Sequence, residues 1–377
     1  LQKLPHMLSR FATVPAARTR VLSSLAAAVL RPGSPVAPPA KPVQIRGRPF
    51  LPDGANPRFP EFMASAREEF PKVFSAQGDL SIPEWGGVTR ELMDEYLHQY
   101  GVILLRGLPL QGSADFGLFM KAVGWRLKDK TAYLRAIQAR SMTSTVVNDA
   151  VRTASDDHRN YTIEPHNEFH TVGCPRYITL YCETPAEEGG EWPTGDSRAI
   201  LAQLDPEVVA KFERLGARYT VFYEHKDNAF YNCWQGNVAP TKEACEKYLK
   251  ALNYEFKWHE DGALSYWQNF PAIRVHPKTG ERVWFNQIHA HHETFYKGAH
   301  PLFVDKPAEF DRYPVHTTYG DGTPMEREVL DHIREVIWKN CVAVPTQAGD
   351  VIVYDNWLAK HGRMGSFGDG PARKVYV

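Results

Sequence analysis

Residues His166-Asn167-Glu168 set a histidine and a carboxylate two positions apart. On an extended chain such residues project from the same side, as two of three ligands on one face of a metal ion would. A third candidate, His361, stands far downstream near the end of Gly349–Arg363, GDVIVYDNWLAKHGR. Two histidines and one carboxylate form the facial ligand set of non-haem Fe(II) sites, which leaves positions open for other ligands and dioxygen. Segments so distant in sequence meet most readily in a barrel, where strands far apart in the chain lie opposite each other. A His-x-Glu triplet alone is a weak signal. The distal order of Gly-Asp, apolar strand, Asp-Asn and His-Gly-Arg adds the weight.

The remaining composition sets bounds. Of 377 residues, 43% are hydrophobic and 23% charged, as in soluble globular proteins. Basic and acidic residues number 44 each, so the charge balance points neither to nucleic acid nor to an anionic membrane surface. No apolar run is long enough to span a bilayer. Five cysteines (Cys174, Cys182, Cys233, Cys245 and Cys341) form no CxxC pair, which argues against a disulfide framework or a structural zinc site and suits a reducing compartment.

Residues 1–52 differ from the rest, with eight basic residues and no Asp or Glu before Asp53. Met7–Arg31 is rich in Arg, Ser and Ala with interspersed leucines, the composition of an organellar transit peptide. The address it implies is mitochondrial, with chloroplast as the alternative and cytoplasm if the segment is no signal. Pro32–Pro60 is proline-rich and reads as a linker. Residues 1–52 are therefore expected to be a disordered targeting segment and linker, and 53–377 a single domain whose ordered part begins near Phe59.

Within that domain, apolar spacing predicts helices at Val88–Tyr100, stopped by Gly101, and at Ser113–Val123, capped by Ser and Asp. Further helices are expected at Ser197–Gly216, with Pro206 as an interruption or a fresh start, and at Thr241–Leu252 and Met325–Asn340. Strands are expected at Val102–Leu105, Tyr177–Cys182, Thr220–Glu224, Glu255–Trp258, Val342–Val344 and Val351–Tyr354. Ala272–His276 and Arg282–Phe285 flank a turn in the manner of a hairpin. Ala132–Asn160 reads as a loop over the active site.

These segments together resemble the taurine dioxygenase / clavaminate synthase-like family of Fe(II)- and 2-oxoglutarate-dependent oxygenases. The resemblance is carried by Tyr100–Gly107 (YGVILLRG), His166-Asn167-Glu168, Pro185–Glu191 (PAEEGGE), Gly349–Arg363 and Pro371-Ala372-Arg373, and spans roughly residues 90 to 377. It implies a mainly β fold with helical additions (α+β), a double-stranded β-helix or jelly roll. It implies His166, Glu168 and His361 as the iron ligands. Arg373 is implied to grip the distal carboxylate of 2-oxoglutarate bidentately, with the adjacent Lys374 as a weaker candidate. Where family members often have Gly-Gly-(Asp/Glu)-Thr, this chain has Gly189-Gly190-Glu191-Trp192. An indole cannot replace the threonine hydroxyl that helps hold the cosubstrate, so either Thr194 or another residue substitutes, or the 2-oxoglutarate pocket is altered. The implied reaction couples oxidation of a small molecule, amino-acid-like or carboxylate-bearing, to decarboxylation of 2-oxoglutarate to succinate by dioxygen. The carboxylate at Glu168 favours hydroxylation or another oxidation over halogenation.

Other side chains are weaker candidates. His170 follows Glu168 at the same spacing and is read as a competing ligand or as lining the substrate side; Asn286 and Gln287 follow a short strand, and the resemblance implies them as substrate contacts. His289, His291 and His292 are read as a loop lining near the substrate, or else as polar surface. Two other functions remain compatible with the ligand set. One is a metal-binding but catalytically weak sensor of the same fold, suggested by Trp192; the other is a zinc hydrolase using the same three ligands.

Overall fold

The computed structural model describes residues 22–45, 58–126, 145–155, 158–168, 174–227, 233–299 and 311–377, with residues 229, 303, 306 and 307. The chain opens with a short helix α1 (Ser24–Val29), then β1 (Leu30–Pro32), β2 (Ala64–Ser65) and β3 (Lys72–Ala76). Helix α2 (Ile82–Tyr100), β4 (Val102–Arg106) and helix α3 (Ser113–Val123) follow. Next come β5 (Ile163–His166), β6 (Tyr177–Thr184), β7 (Glu188–Gly189), β8 (Trp192–Asp196) and β9 (Ala217–Tyr223). Strands β10 (Glu255–Trp258), β11 (Leu264–Phe270), β12 (Ile273–Val275), β13 (Arg282–Trp284) and β14 (Val315–Tyr319) precede β15 (Cys341–Val344). The chain closes with β16 (Val351–Asp355), β17 (Ala359–Arg363), β18 (Ser366–Phe367) and β19 (Lys374–Tyr376).

Two sheets form the jelly-roll core. One has the order β1-β3-β4-β16-β6-β19 and the other β2-β15-β8-β17-β5. All their pairings are antiparallel except β3 with β4 and β2 with β15. Strand periodicity explains how they stack. Val102 and Leu104 of β4 and Ile352 and Tyr354 of β16 meet Val342 and Val344 of β15, Trp192 and Ala359 in one buried layer between the sheets. The alternate residues Ile103, Leu105, Val351 and Val353 face the other way, against Leu92, Met93 and Leu97 of α2 and Phe116 and Phe119 of α3. Cys341 and Ala343 of β15 likewise turn outward onto Ile333, Ile337 and Trp338 of the helix Arg327–Asn340. Strands β4, β15 and β16 are buried on both faces, so they read as near-continuous apolar runs without alternation. A four-stranded antiparallel sheet, β10-β11-β9-β14, and the helix Lys242–Ala251 build a separate cluster around Tyr223, Leu249 and Tyr266.

Several boundaries differ from expectation for local reasons. Helix α2 begins at Ile82, six residues before the expected Val88, because Glu84 accepts from both the amide and hydroxyl of Ser81 and closes the N-terminus there. It ends at Gly101 with φ of 75°, as expected of a glycine stop. Helix α3 is preceded by Gly112, and Asp115 reaches back to the Gln111 amide; Ser113 is no cap. Pro206 starts a second helix, Pro206–Leu215, after Asp205 caps it through the Glu207 amide. Strand β8 escaped the sequence reading because Trp-Pro-Thr-Gly-Asp lacks strand propensity.

The N-terminal expectation needs correction. Residues 22–45 are not a disordered targeting segment and linker: β1 pairs with β3, and Ala26, Val29 and Leu30 are buried against α2 and Phe74. Ile45 and Val36 enter two further clusters. The arginines and prolines obscured a short apolar stretch that covers the sheet's open edge. Of the loop expected at 132–160, residues 132–144 and 156–157 lie outside the described residues, and 146–153 form a hairpin-like turn that bridges to Tyr376 of β19. The packing predicts that Leu30→Ala lowers the unfolding free energy by about 3 kcal/mol, read from chemical denaturation; an unchanged midpoint would mark the segment as a dispensable tail.

Candidate metal centre

Strands β5 and β17 pair so that His166 and His361 are direct cross-strand partners. Their rings stand 4.6 Å apart, centroid to centroid. Glu168 lies just past the end of β5, and its Oε2 is 3.5 Å from Nε2 of each histidine. All three side chains are buried, and their ligand atoms fall within 4.8 Å of one another.

The tautomer of His166 suits a metal. Its Nδ1 is 2.8 Å from the Glu164 carbonyl, which only accepts, so Nδ1 carries the proton and the Nε2 lone pair faces Glu168. That Nε2 is buried and makes no hydrogen bond. A buried acceptor left open is costly unless a ligand fills it. The donor set of two imidazoles and a carboxylate fits Fe(II).

Buried polar groups hold the candidate ligands in place. Below β5, the Glu164 carboxylate takes two bonds from the Arg334 Nε at 3.1 and 3.2 Å, and Arg334 also donates to the His289 carbonyl. Burial pushes the Glu164 carboxyl up, and Arg334 opposes it. His289, kept neutral by burial, reaches the Pro165 carbonyl at 2.9 Å. Asn167, between the ligands, accepts from the Lys360 ammonium at 2.6 Å and donates to the carbonyls of Asn356 and Ala359. Lys360 is fully buried, which drives its ammonium down to about 7, and also donates to the Asn286 carbonyl. Asn356 brackets Glu168: its Oδ1 accepts from the Glu168 amide at 2.6 Å, and its Nδ2 donates to the Glu168 carbonyl at 2.7 Å.

Among the described residues a second cluster, His98, His276 and Asp355, also offers two imidazoles and a carboxylate. Its hydrogen bonds argue against a metal there. His276 Nδ1 accepts the amides of Thr279 and Lys278, so its proton sits on Nε2, 3.2 Å from Asp355 Oδ2. His98 Nε2 meets the Lys278 ammonium at 2.6 Å, so its proton sits on Nδ1, 2.8 Å from the same oxygen. Both lone pairs a metal would need are replaced by protons already bonded to Asp355.

A cavity opens from the first cluster. His166, Glu168, His361, Gly362, Arg363 and Arg373 border it on the polar side, and Ile178, Leu180, Trp192 and Val375 among others on the apolar side. Burial, reinforced by neighbouring Arg363, lowers the Arg373 guanidinium to about 10, and its buried Nε makes no hydrogen bond. Such a group is primed for an anion that would neutralise it. A groove of about 560 Å³ lies at the β12–β13 hairpin near Phe212, Arg274 and Arg282, and no residue of either cluster lines it.

The remaining candidates separate. Lys374 points outward to Glu183, 3.5 Å away, and does not join the cavity. Thr194 sits opposite His361 in register, but its hydroxyl is engaged with the Trp192 carbonyl and the Tyr354 hydroxyl, and it does not border the cavity. Trp192 does border it. Asn286 is scaffold: its amide bonds the Ala272 carbonyl and the Ile288 amide. Gln287 is buried outside the cavity lining, with its backbone amide on the Tyr219 hydroxyl. The His289 and His292 side chains are buried, which removes the surface alternative for them, and neither borders the cavity; His291 is close enough to His166 and Glu168 to feel both. His170 lies outside the described residues. Sequence reasoning gave no role to Arg363, although its position two residues after His361 on a strand puts both on one face. It also missed Lys360, which stands between Ala359 and His361 in a segment with no local signal for its burial.

The family model described as "Taurine catabolism dioxygenase TauD, TfdA family" matches residues 66–377. The dapdiamide synthesis protein DdaC of Enterobacter agglomerans is 30% identical over 81% of this chain and 90% of its own length. A clavaminate synthase-like protein of Arabidopsis thaliana is 29% identical over 73% of this chain and 80% of its own. The crystal structure of PvcB from Pseudomonas aeruginosa aligns over 85% of this chain and 91% of that one, at 12% identity and a TM-score of 0.45.

Gly190, with φ of 73°, makes room for Arg373: a Cβ there would stand 2.9 Å from the Arg373 Cδ and 2.9 Å from the Ala186 Cβ. Gly190→Ala is therefore expected to weaken 2-oxoglutarate binding by at least about tenfold, roughly the loss of one charge-assisted hydrogen bond, while Fe(II) binding persists. Equal calorimetric affinities for 2-oxoglutarate in both proteins would show that Arg373 does not need that space.

Proposed function

From the premise that the chain belongs to the TauD, TfdA family of dioxygenases, we propose that it hydroxylates a small amino-acid-like molecule at the His166–Glu168–His361 centre. Members of this family are Fe(II)- and 2-oxoglutarate-dependent oxidoreductases, which removes the zinc-hydrolase alternative. The balance is substrate, 2-oxoglutarate and dioxygen giving hydroxylated substrate, succinate and carbon dioxide, with one oxygen atom entering each organic product. Bound Fe(II) supplies the activation of dioxygen.

The observation that carries the reading is a preorganised ligand set at one end of a cavity and an unsatisfied arginine bordering the same space. His166 and His361 would offer Nε2 and Glu168 an anionic oxygen, three ligands that leave the other positions free. Arg373 would take the distal carboxylate of 2-oxoglutarate, with Arg363 adding positive potential. The ring of Trp192, with Ile178, Leu180 and Val375, would line the methylene chain and exclude water. An apolar wall thus stands where relatives use a hydroxyl, and neither Thr194 nor Lys374 is needed. The small-molecule substrate draws further support from the relative that functions in dapdiamide synthesis.

Among the described residues no helix is long and apolar enough to cross a membrane. Because residues 22–45 belong to the folded domain, residues 1–21 would carry the address, mitochondrial by their basic, acid-poor composition. Fusing them to a fluorescent protein should direct it to mitochondria; a diffuse cytosolic signal would discard the address.

For the catalytic reading, 2-oxoglutarate is titrated anaerobically into Fe(II)-loaded protein. The expected result is a weak visible charge-transfer band, absent in His361→Ala and weakened in Arg373→Ala, and slow succinate formation once air is admitted. Iron-bound protein that develops no band at any 2-oxoglutarate concentration would overturn the proposal.

A further inference from the structure

Asp355 ends β16 with its carboxylate fully buried and drawn to three separate pieces of chain. Its Oδ2 receives His98 of α2 at 2.8 Å and His276, just past β12, at 3.2 Å. Its Oδ1 receives the Trp357 amide at 3.1 Å, and its own amide donates to the Gly101 carbonyl at 2.8 Å. These bonds fix the turn between β16 and β17 against the C-terminus of α2 and the β12–β13 hairpin.

The next residue in that turn is Asn356. Its side chain brackets the Glu168 backbone at 2.6 and 2.7 Å and reaches the Pro175 carbonyl at 2.9 Å. Its main chain bonds the Arg176 carbonyl and the Asn167 side chain. Strand β5 ends at His166, so no ladder bond fixes Glu168. The Asn356 amide takes over that task, and Asp355 sets where the amide stands.

We propose that Asp355, held by His98 and His276, is a positioning residue for the iron-ligand carboxylate Glu168 and acts through Asn356. The cluster that looks like a second metal site is instead the anchor of the first. The inference rests on the reading of His166, Glu168 and His361 as the iron centre.

It is tested by measuring the Fe(II) dissociation constant anaerobically by calorimetry, with electron paramagnetic resonance of Mn(II) as a redox-inert second probe and Tm recorded for every variant. Asp355→Asn keeps the shape but cannot accept both histidines equally; it is expected to weaken Fe(II) at least about tenfold, the range typical of an outer partner of a ligand. The double variant Asp355→Asn/Asn356→Ala should bind no more weakly than Asn356→Ala alone, because both act along one path. Should Asp355→Asn fail to fold, His98 carries the test. His98→Gln retains an N–H for Asp355 and should bind iron within about twofold of wild type; His98→Leu removes it and should lose several-fold. Variants that lose Tm yet bind Fe(II) and Mn(II) like the wild type would overturn the proposal and leave Asp355 a purely structural residue, as would full additivity in the double variant. Wild-type protein that binds neither ion would overturn the metal-centre reading itself, and this inference with it.

Discussion

The structure depends on the register that sets His166 opposite His361. A one-residue slip between β5 and β17 would turn one histidine to the far side of the sheet, and no later adjustment of side chains could restore a three-ligand face. Yet β5 is four residues long, lies at a sheet edge and departs from regular pairing between His361 and Arg363. Its ladder bonds alone are too few to hold a register. The fully buried Glu164–Arg334 pair and the His289–Pro165 contact supply what the ladder lacks. A buried ion pair is a poor source of net stability, since desolvation of both charges offsets their attraction. Here its value is placement: Arg334 sits on the helix Arg327–Asn340 and grips the residue two before a candidate ligand, so helix and edge strand cannot shift independently.

Proton placement separates the two His-His-carboxylate clusters better than distance does. In both, the ligand atoms lie close enough to share an ion. What differs is the group behind each imidazole. A carbonyl behind His166 forces the proton away from Glu168 and leaves a lone pair forward. Backbone amides behind His276 and an ammonium behind His98 do the reverse. A buried imidazole has two nitrogens and one proton, so its distant partner decides whether its near side binds a metal or donates a hydrogen bond.

The legible part of this arrangement was local chemistry. The H-x-E spacing, the distal His-Gly-Arg, the glycine stop at Gly101 and the apolar runs of β4 and β16 all have signals within a few residues. Glu164, Lys360 and Asn356 matter because of partners more than seventy residues away, and no local pattern marks a carboxylate that will meet Arg334 in a core. The errors share that origin. Asn286 and Lys374 occupy positions next to informative segments, but their side chains turn to the Ala272 carbonyl and to Glu183. Residues 22–45 resembled the end of a targeting segment and a linker because composition records charge and proline content and not the open sheet edge that Leu30 covers.

The same distinction bears on Trp192. Read along the chain, an indole in place of a threonine looks like loss of a cosubstrate contact. In space it borders a cavity whose polar side already holds two guanidiniums, Arg363 and Arg373, each raising the cost of charging the other. A dicarboxylate entering that space gains more from neutralising a strained, desolvated cation than from one hydroxyl, because charge-assisted bonds in a dry site exceed neutral ones by roughly twofold. On the proposed reading, a large apolar ring in place of the hydroxyl would lower the local dielectric further and so strengthen the arginine contact. Read this way, Trp192 remakes the pocket around Arg373 without closing it, and Gly190, with no side chain to crowd that guanidinium, is the residue that lets both fit.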